Sequence, residues 1–122
     1  MEESPKLRRL YWVGGSKKDL LALPEDVVDI FGYALHLAQI GRKHEQAKPL
    51  KGFGSAGVLE IVEDCKGSSY RAVYTVRFER AVYVLHVFQK KSKRGIATPK
   101  SDLDLIRQRL KVAEQAVKES ES

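Results

Sequence analysis

A chain of 122 residues, 43% of them hydrophobic and 31% charged, can bury a core of its own and lacks the composition of a disordered segment. Cys65 is the only cysteine, which excludes an intramolecular disulfide, and no apolar run approaches the roughly 18 residues of a spanning helix. The formal net charge of +6 is localised. Between Gln89 and Lys111 eight lysines and arginines stand against two aspartates, while the rest of the chain is balanced.

Residues 1–122 read as a single domain, with no internal repeat and no linker long enough to divide it. The N-terminal MEESPKLRRLYW has no apolar stretch of the secretory kind, and a lone cysteine suits a reducing compartment, so the expected location is the cytoplasm with no membrane partner. Leu7 to Val13 is rich in aromatic and apolar residues and stops at Gly14-Gly15, which predicts a first strand. Ser16 with Asp19 three residues on resembles a capping box and predicts a short helix over Lys17 to Ala22. Pro24 suits the first position of a second helix, where Val27, Phe31, Ala34, Leu35 and Ala38 form one apolar stripe ending near Gly41.

Residues 42–57, polar and glycine-rich, read as a loop. Three strands follow over Val58 to Glu63, Tyr70 to Phe78 and Ala81 to Gln89, joined by connections short enough to make them antiparallel neighbours. Thr98-Pro99 can cap and open a last helix, in which Leu103, Ile106, Leu110, Ala113 and Val117 recur on one face before KESES frays. The expected fold class is α+β. A four-stranded, antiparallel-rich sheet carries two N-terminal helices on one face, followed by a C-terminal helix, in the order β-α-α-β-β-β-α. The opposite face is expected to be partly open, where a ligand could lie.

Alternation along YRAVYTVRF puts Tyr70, Ala72, Tyr74, Val76 and Phe78 on the helix-packed face and Arg71 and Arg77 on the open one. These arginines are expected ~20 Å apart, too far to hold one phosphate together but suited to different parts of a polyanion. In the next strand the same rule groups Val82, Val84, His86, Phe88 and Lys90. The run QKKSKRG places Lys90, Lys91, Lys93 and Arg94 together with no acid among them, and such a knot repels itself unless an anion arrives. A solvated turn that protects a sheet edge is the plainer reading of the same lysines. His36, His44 and His86 are isolated, and no metal-ligand spacing occurs, so neither metal nor cofactor is expected. KGFGSAG lacks the GK[ST] ending of a phosphate loop and leads into a strand.

A β-α-α-β-β-β core, the Tyr70-Arg71 pair opening the third strand, and the run LHVFQKKSKRGIATP before an amphipathic helix resemble the RelE superfamily of bacterial toxins. The similarity is greatest to its HigB-like branch, including the group described from phage genomes, and covers roughly residues 8–115. The resemblance implies the toxin of a type II toxin–antitoxin pair. Its partners would be a helix-turn-helix, HigA-like antitoxin and messenger RNA on the ribosome, with DNA met only through the antitoxin complex. The implied activity is metal-free endoribonuclease cleavage, in which the 2′-hydroxyl attacks the adjacent phosphorus.

By position, the resemblance makes Arg71 the clamp on the scissile phosphate. It gives Lys90 and Lys93 catalytic roles in holding that phosphate or donating a proton. Lys91, Arg94, Lys51 and Arg77 are then candidates for contacts to the nucleic-acid backbone. Where RelE places lysines on the second strand, this chain has Glu60, Glu63 and Asp64, and no tyrosine follows Tyr83. The general base stays open among His86, Glu60 and a lysine of lowered pKa. The competing expectations are a gyrase poison of the ParE kind and a non-catalytic module that docks through its last helix.

Overall fold

The computed structural model describes residues 7–90 and 98–121. Lys91, Lys93 and Arg94 lie outside the described residues. The elements are β1 (Arg9–Trp12), α1 (Ser16–Leu21), α2 (Glu25–Gln39), β2 (Lys48–Pro49), β3 (Val58–Cys65), β4 (Ser68–Thr75), β5 (Ala81–Lys90) and α3 (Lys100–Glu121).

The predicted order holds, with one strand added. β2 pairs with β3 through Lys48↔Glu60 and Pro49↔Leu59. Its proline, which lacks an N–H, is tolerated because β2 lies at the sheet edge, and the same proline and the glycines around it disguise the strand as loop.

The strands form one sheet in the order β1-β5-β4-β3-β2. β3, β4 and β5 make the expected antiparallel meander. Its first turn is Lys66-Gly67, with φ of 50° and 80°, the pair of positive angles that suits a tight hairpin. β1 instead runs parallel to β5, from Arg9↔Ala81 to Trp12↔Val84. The sheet is thus mixed and five-stranded, which corrects the expected four-stranded arrangement. The long passage through α1 and α2 carries the chain to the far edge, and the meander then returns to β1.

α2 buries Val27, Phe31, Ala34, Leu35 and Ala38, the predicted stripe. Gly41, at φ 80°, ends it. Its N–H donates to the Ala38 carbonyl while the Arg42 N–H reaches back to Leu37 at 2.8 Å, satisfying carbonyls the helix would otherwise leave unpaired. This stripe packs with Tyr70, Ala72 and Tyr74 of β4, Ile61 of β3 and Val82, Val84 and Val87 of β5.

The opposite face is not open along its length. α3 lays Ile106, Leu110 and Ala113 on Val73, Tyr83, Leu85 and Val58. Helices therefore flank both faces of the sheet. α3 continues to Glu121, so the segment expected to fray is helical as far as it is described.

One irregularity decides what faces what. The β4–β5 register passes from Val73↔His86 to Tyr74↔Val84, so Leu85 is an extra residue in β5. Val82 and Val84 face α1 and α2. Beyond Leu85 the alternation is reset, and His86, Phe88 and Lys90 stand on the α3 side with Arg71. The expectation that all five share one face is corrected by this bulge.

Candidate functional site

Where α3 begins, its apolar packing gives way to a polar cluster drawn from all three meander strands. Arg71 of β4 donates from Nη1 to Glu60 Oε2 of β3 at 3.0 Å and to Thr98 Oγ1 at 3.1 Å. The Thr98 hydroxyl donates its own proton to Glu60 Oε2, also at 3.1 Å. Three groups form a closed triangle in which the guanidinium spends two protons and the hydroxyl one. The side chains of Arg71 and Glu60 are only 13% and 18% exposed, so water weakens this pair less than a surface one.

Lys90, the last residue of β5, lies opposite Ser69 and is only 6% exposed. Removal from water is the main cause that lowers its pKa from the usual 10.5. The positive charge of Arg71 pushes the same way, against a smaller pull from Glu60 and Asp102. Arg71, Lys90, Glu60 and Asp102 thus share one electrostatic neighbourhood.

His86 completes the cluster. Its Nε2 donates to Asp102 Oδ1, in the first turn of α3, at 2.8 Å. The ring stacks on Phe88 with centroids 4.5 Å apart and planes 17° from parallel. Nδ1 is buried and has no hydrogen-bond partner among the described residues.

Of the residues singled out from sequence, Arg71 and Lys90 are brought together. Arg77 is not part of this group. It lies past the other end of β4, where its Nη1 meets Glu114 Oε2 of α3 at 3.2 Å with its side chain 47% exposed. Lys51 is exposed in the turn after β2, next to Gly52, which approaches the Arg107 guanidinium of α3. Lys91, Lys93 and Arg94 follow Lys90 directly in sequence but belong to the undescribed segment.

Sequence reasoning passed over Thr98 and Asp102. Thr98 was readable as a helix cap, yet its hydroxyl turns to Glu60 and Arg71. Asp102 entered only as one of the two aspartates in the basic segment. Nothing in a linear pattern signals either role, since both depend on where α3 lands on the sheet. Glu60, noted as a departure from the RelE pattern, proves to be the partner of Arg71.

Residues 18–111, well over half of the chain, match the family described as Phage derived protein Gp49-like (DUF891). The chain belongs to this family. The match spans the α1-to-α3 region that builds the cluster, and it agrees with the phage-derived, RelE/HigB-like resemblance carried by residues 85–99. Among solved structures, a chain of the toxin–antitoxin complex RelBE2 from Mycobacterium tuberculosis aligns at 19% identity with a TM-score of 0.44, covering 75% of the Gp49-like chain and 100% of its own length. No curated protein sequence gives a significant match. Among the described residues no helix is long and apolar enough to cross a membrane.

Proposed function

We propose that this Gp49-like chain is the toxin of a type II toxin–antitoxin pair and acts as a metal-independent, ribosome-associated endoribonuclease on messenger RNA. The observation that carries the reading is the buried Lys90 beside an Arg71 that is already held by Glu60 and Thr98.

The resting ion pair suggests how the site would work. A scissile phosphate competes with Glu60 for the Arg71 guanidinium, a strong binder of anionic oxygens through its fork of donors. Once displaced, the Glu60 carboxylate is available to take the proton of the 2′-hydroxyl. The 2′-oxygen forms its bond to phosphorus, and Arg71 stabilises the negative charge gathering on the phosphoryl oxygens. Lys90 gives a proton to the departing 5′-oxygen as the P–O5′ bond breaks, leaving a 2′,3′-cyclic phosphate and a free 5′-hydroxyl. A lysine of lowered pKa is a better acid near neutrality than an ordinary one, so its burial serves the step. Thr98 keeps Glu60 and Arg71 in register, and the His86–Asp102 contact ties β5 to the first turn of α3.

Lys93 would share in holding the phosphate or donating a proton, and Lys91, Arg94, Lys51 and Arg77 would contact the RNA backbone. The partner would be a helix-turn-helix antitoxin in the same cytoplasm, whose acidic segment covers the Lys90 end of the sheet. DNA would be met only through that complex.

Brief induction with mapping of transcript ends tests the reading. Wild type should leave transcripts cut within codons and bearing 5′-hydroxyl ends. Arg71→Ala should stay folded, lose growth inhibition and cut at least about 100-fold more slowly. Full toxicity in a folded Arg71→Ala variant would remove Arg71 from the site. Intact transcripts with DNA damage would replace the proposal with a gyrase poison. If neither appears and deletion of residues 101–122 abolishes partner binding, the chain is a docking module.

A further inference from the structure

We infer that Arg109 of α3 is a positioning residue: by holding the Leu85 carbonyl it fixes the β5 bulge that turns Lys90 onto the face of Arg71. The functional weight of this inference rests on the nuclease reading above, whereas the geometry stands apart from it.

A regular β5 would continue the alternation set by Val82 and Val84, placing His86, Phe88 and Lys90 on the α1–α2 face. A slip of one residue moves every side chain beyond it to the other face of a sheet. Insertion of Leu85 makes that slip, and it disrupts the ladder where β5 is fully buried. A buried carbonyl left unmatched at such a point costs free energy, so the bulge persists only if something else bonds to it.

Two elements supply those bonds. Arg109 Nη1 donates to the Leu85 carbonyl at 2.9 Å. The neighbouring Val84 carbonyl accepts from the Val13 N–H at 3.0 Å and from the Ser16 hydroxyl at 3.3 Å. Arg109 reaches its position over Gly14, whose φ is +57°. A Cβ there would lie 2.8 Å from Nη2 and 2.9 Å from Cζ of Arg109. The turn between β1 and α1 therefore leaves room for the guanidinium through the absence of a side chain.

The test reads Lys90 without RNA. Lysines of the full chain are dimethylated with 13C-formaldehyde, the Lys90 resonance is identified from its loss in Lys90→Arg, and each variant is titrated. In wild type the Lys90 midpoint should lie below the ordinary 10.5, reflecting burial and the nearby Arg71, with Glu60 and Asp102 as the opposing charges. Arg109→Ala should move that midpoint up toward 10.5 while circular dichroism shows a folded protein. Arg109→Lys, which retains a donor for the Leu85 carbonyl, should restore the low midpoint.

Gly14→Ala offers a second route, because it keeps Arg109 but forces the guanidinium away. It should shift Lys90 in the same direction. A folded Arg109→Ala or Gly14→Ala variant with the wild-type Lys90 midpoint would overturn the inference and leave Arg109 a packing residue. If wild type cuts no transcript and Lys90 still shifts on Arg109→Ala, the nuclease proposal falls while the positioning role stands.

Discussion

The two faces of the sheet are built to different ends. On the α1–α2 face, Val27, Phe31, Ala34 and Leu35 meet Tyr74, Val82 and Val84 in continuous apolar packing. On the α3 face, similar packing by Ile106, Leu110 and Ala113 stops short of the strand ends, and Arg71, Glu60, Lys90 and Thr98 occupy the space beyond it. The first face derives its stability from area removed from water. The second gives up part of that area to hold charges at low exposure, where their mutual effects are strong. A domain this small can keep a charged cluster half-buried because the opposite face supplies the cohesion.

Truncation of the α2 anchor is the most forceful way to break that comparison. Phe31 is fully buried within the stripe, so Phe31→Ala should lower the unfolding free energy by about 3–5 kcal/mol, measured by urea denaturation. A loss below about 1 kcal/mol would show that the α1–α2 face does not dominate stability. A change of that size exceeds what any single group in the polar cluster should cost the fold.

The contrast between faces also explains what could be read from sequence. The α2 stripe is a helical repeat in one unbroken segment, and all five of its predicted members are buried. The hairpin at Lys66-Gly67 was equally local. By contrast, β5 reads as a nearly continuous apolar run, AVYVLHVF, in which alternation carries little information. A single inserted residue at Leu85 therefore leaves no trace in the pattern, and the face of His86, Phe88 and Lys90 came out reversed relative to Val84. β2 was hidden because a two-residue edge strand needs only one partner and tolerates proline. The parallel β1–β5 pairing depends on how the chain returns to its start, which no local signal encodes. Within the site, Arg71 and Lys90 were legible as cations on strands. Thr98 and Asp102 were not, because their roles arise from the docking of α3.

A smaller effect, of opposite sign, sharpens the account of the apolar face. Tyr74 is fully buried there, and its hydroxyl has no partner among the described residues. Burial pushes its pKa up from 10.0 to about 12. Tyr74→Phe removes an unmatched polar atom and should raise stability by about 1 kcal/mol at neutral pH. The sign of the alkaline dependence follows from proton counts. Between pH 10 and 12 the unfolded phenol has lost its proton while the folded one keeps it, so this residue makes stability fall as pH rises through that window. Unfolding midpoints of the two proteins should therefore diverge above pH 10. Parallel curves would mean that the phenol titrates alike in the folded and unfolded chains, so that burial does not hold its proton.

The smallest effect is expected at Arg77, and it separates an exposed ion pair from the half-buried one that Arg71 makes on β4. Arg77 and Glu114 are 47% and 33% exposed, against 13% and 18% for Arg71 and Glu60. Water and salt screen the outer pair, and ordering its long side chains offsets much of the attraction. Arg77→Ala should change the unfolding free energy by no more than about 0.5 kcal/mol. If Arg77 meets RNA at all, the loss should be one phosphate contact, visible as a slightly shallower dependence of RNA affinity on salt. Glu114→Gln provides the complementary reading, since it frees Arg77 without removing its charge and should leave that dependence unchanged or steeper. A loss of toxicity in Arg77→Ala as complete as in Arg71→Ala would contradict the distinction, because an exposed, salt-screened arginine would then matter as much as one enclosed by Glu60 and Thr98.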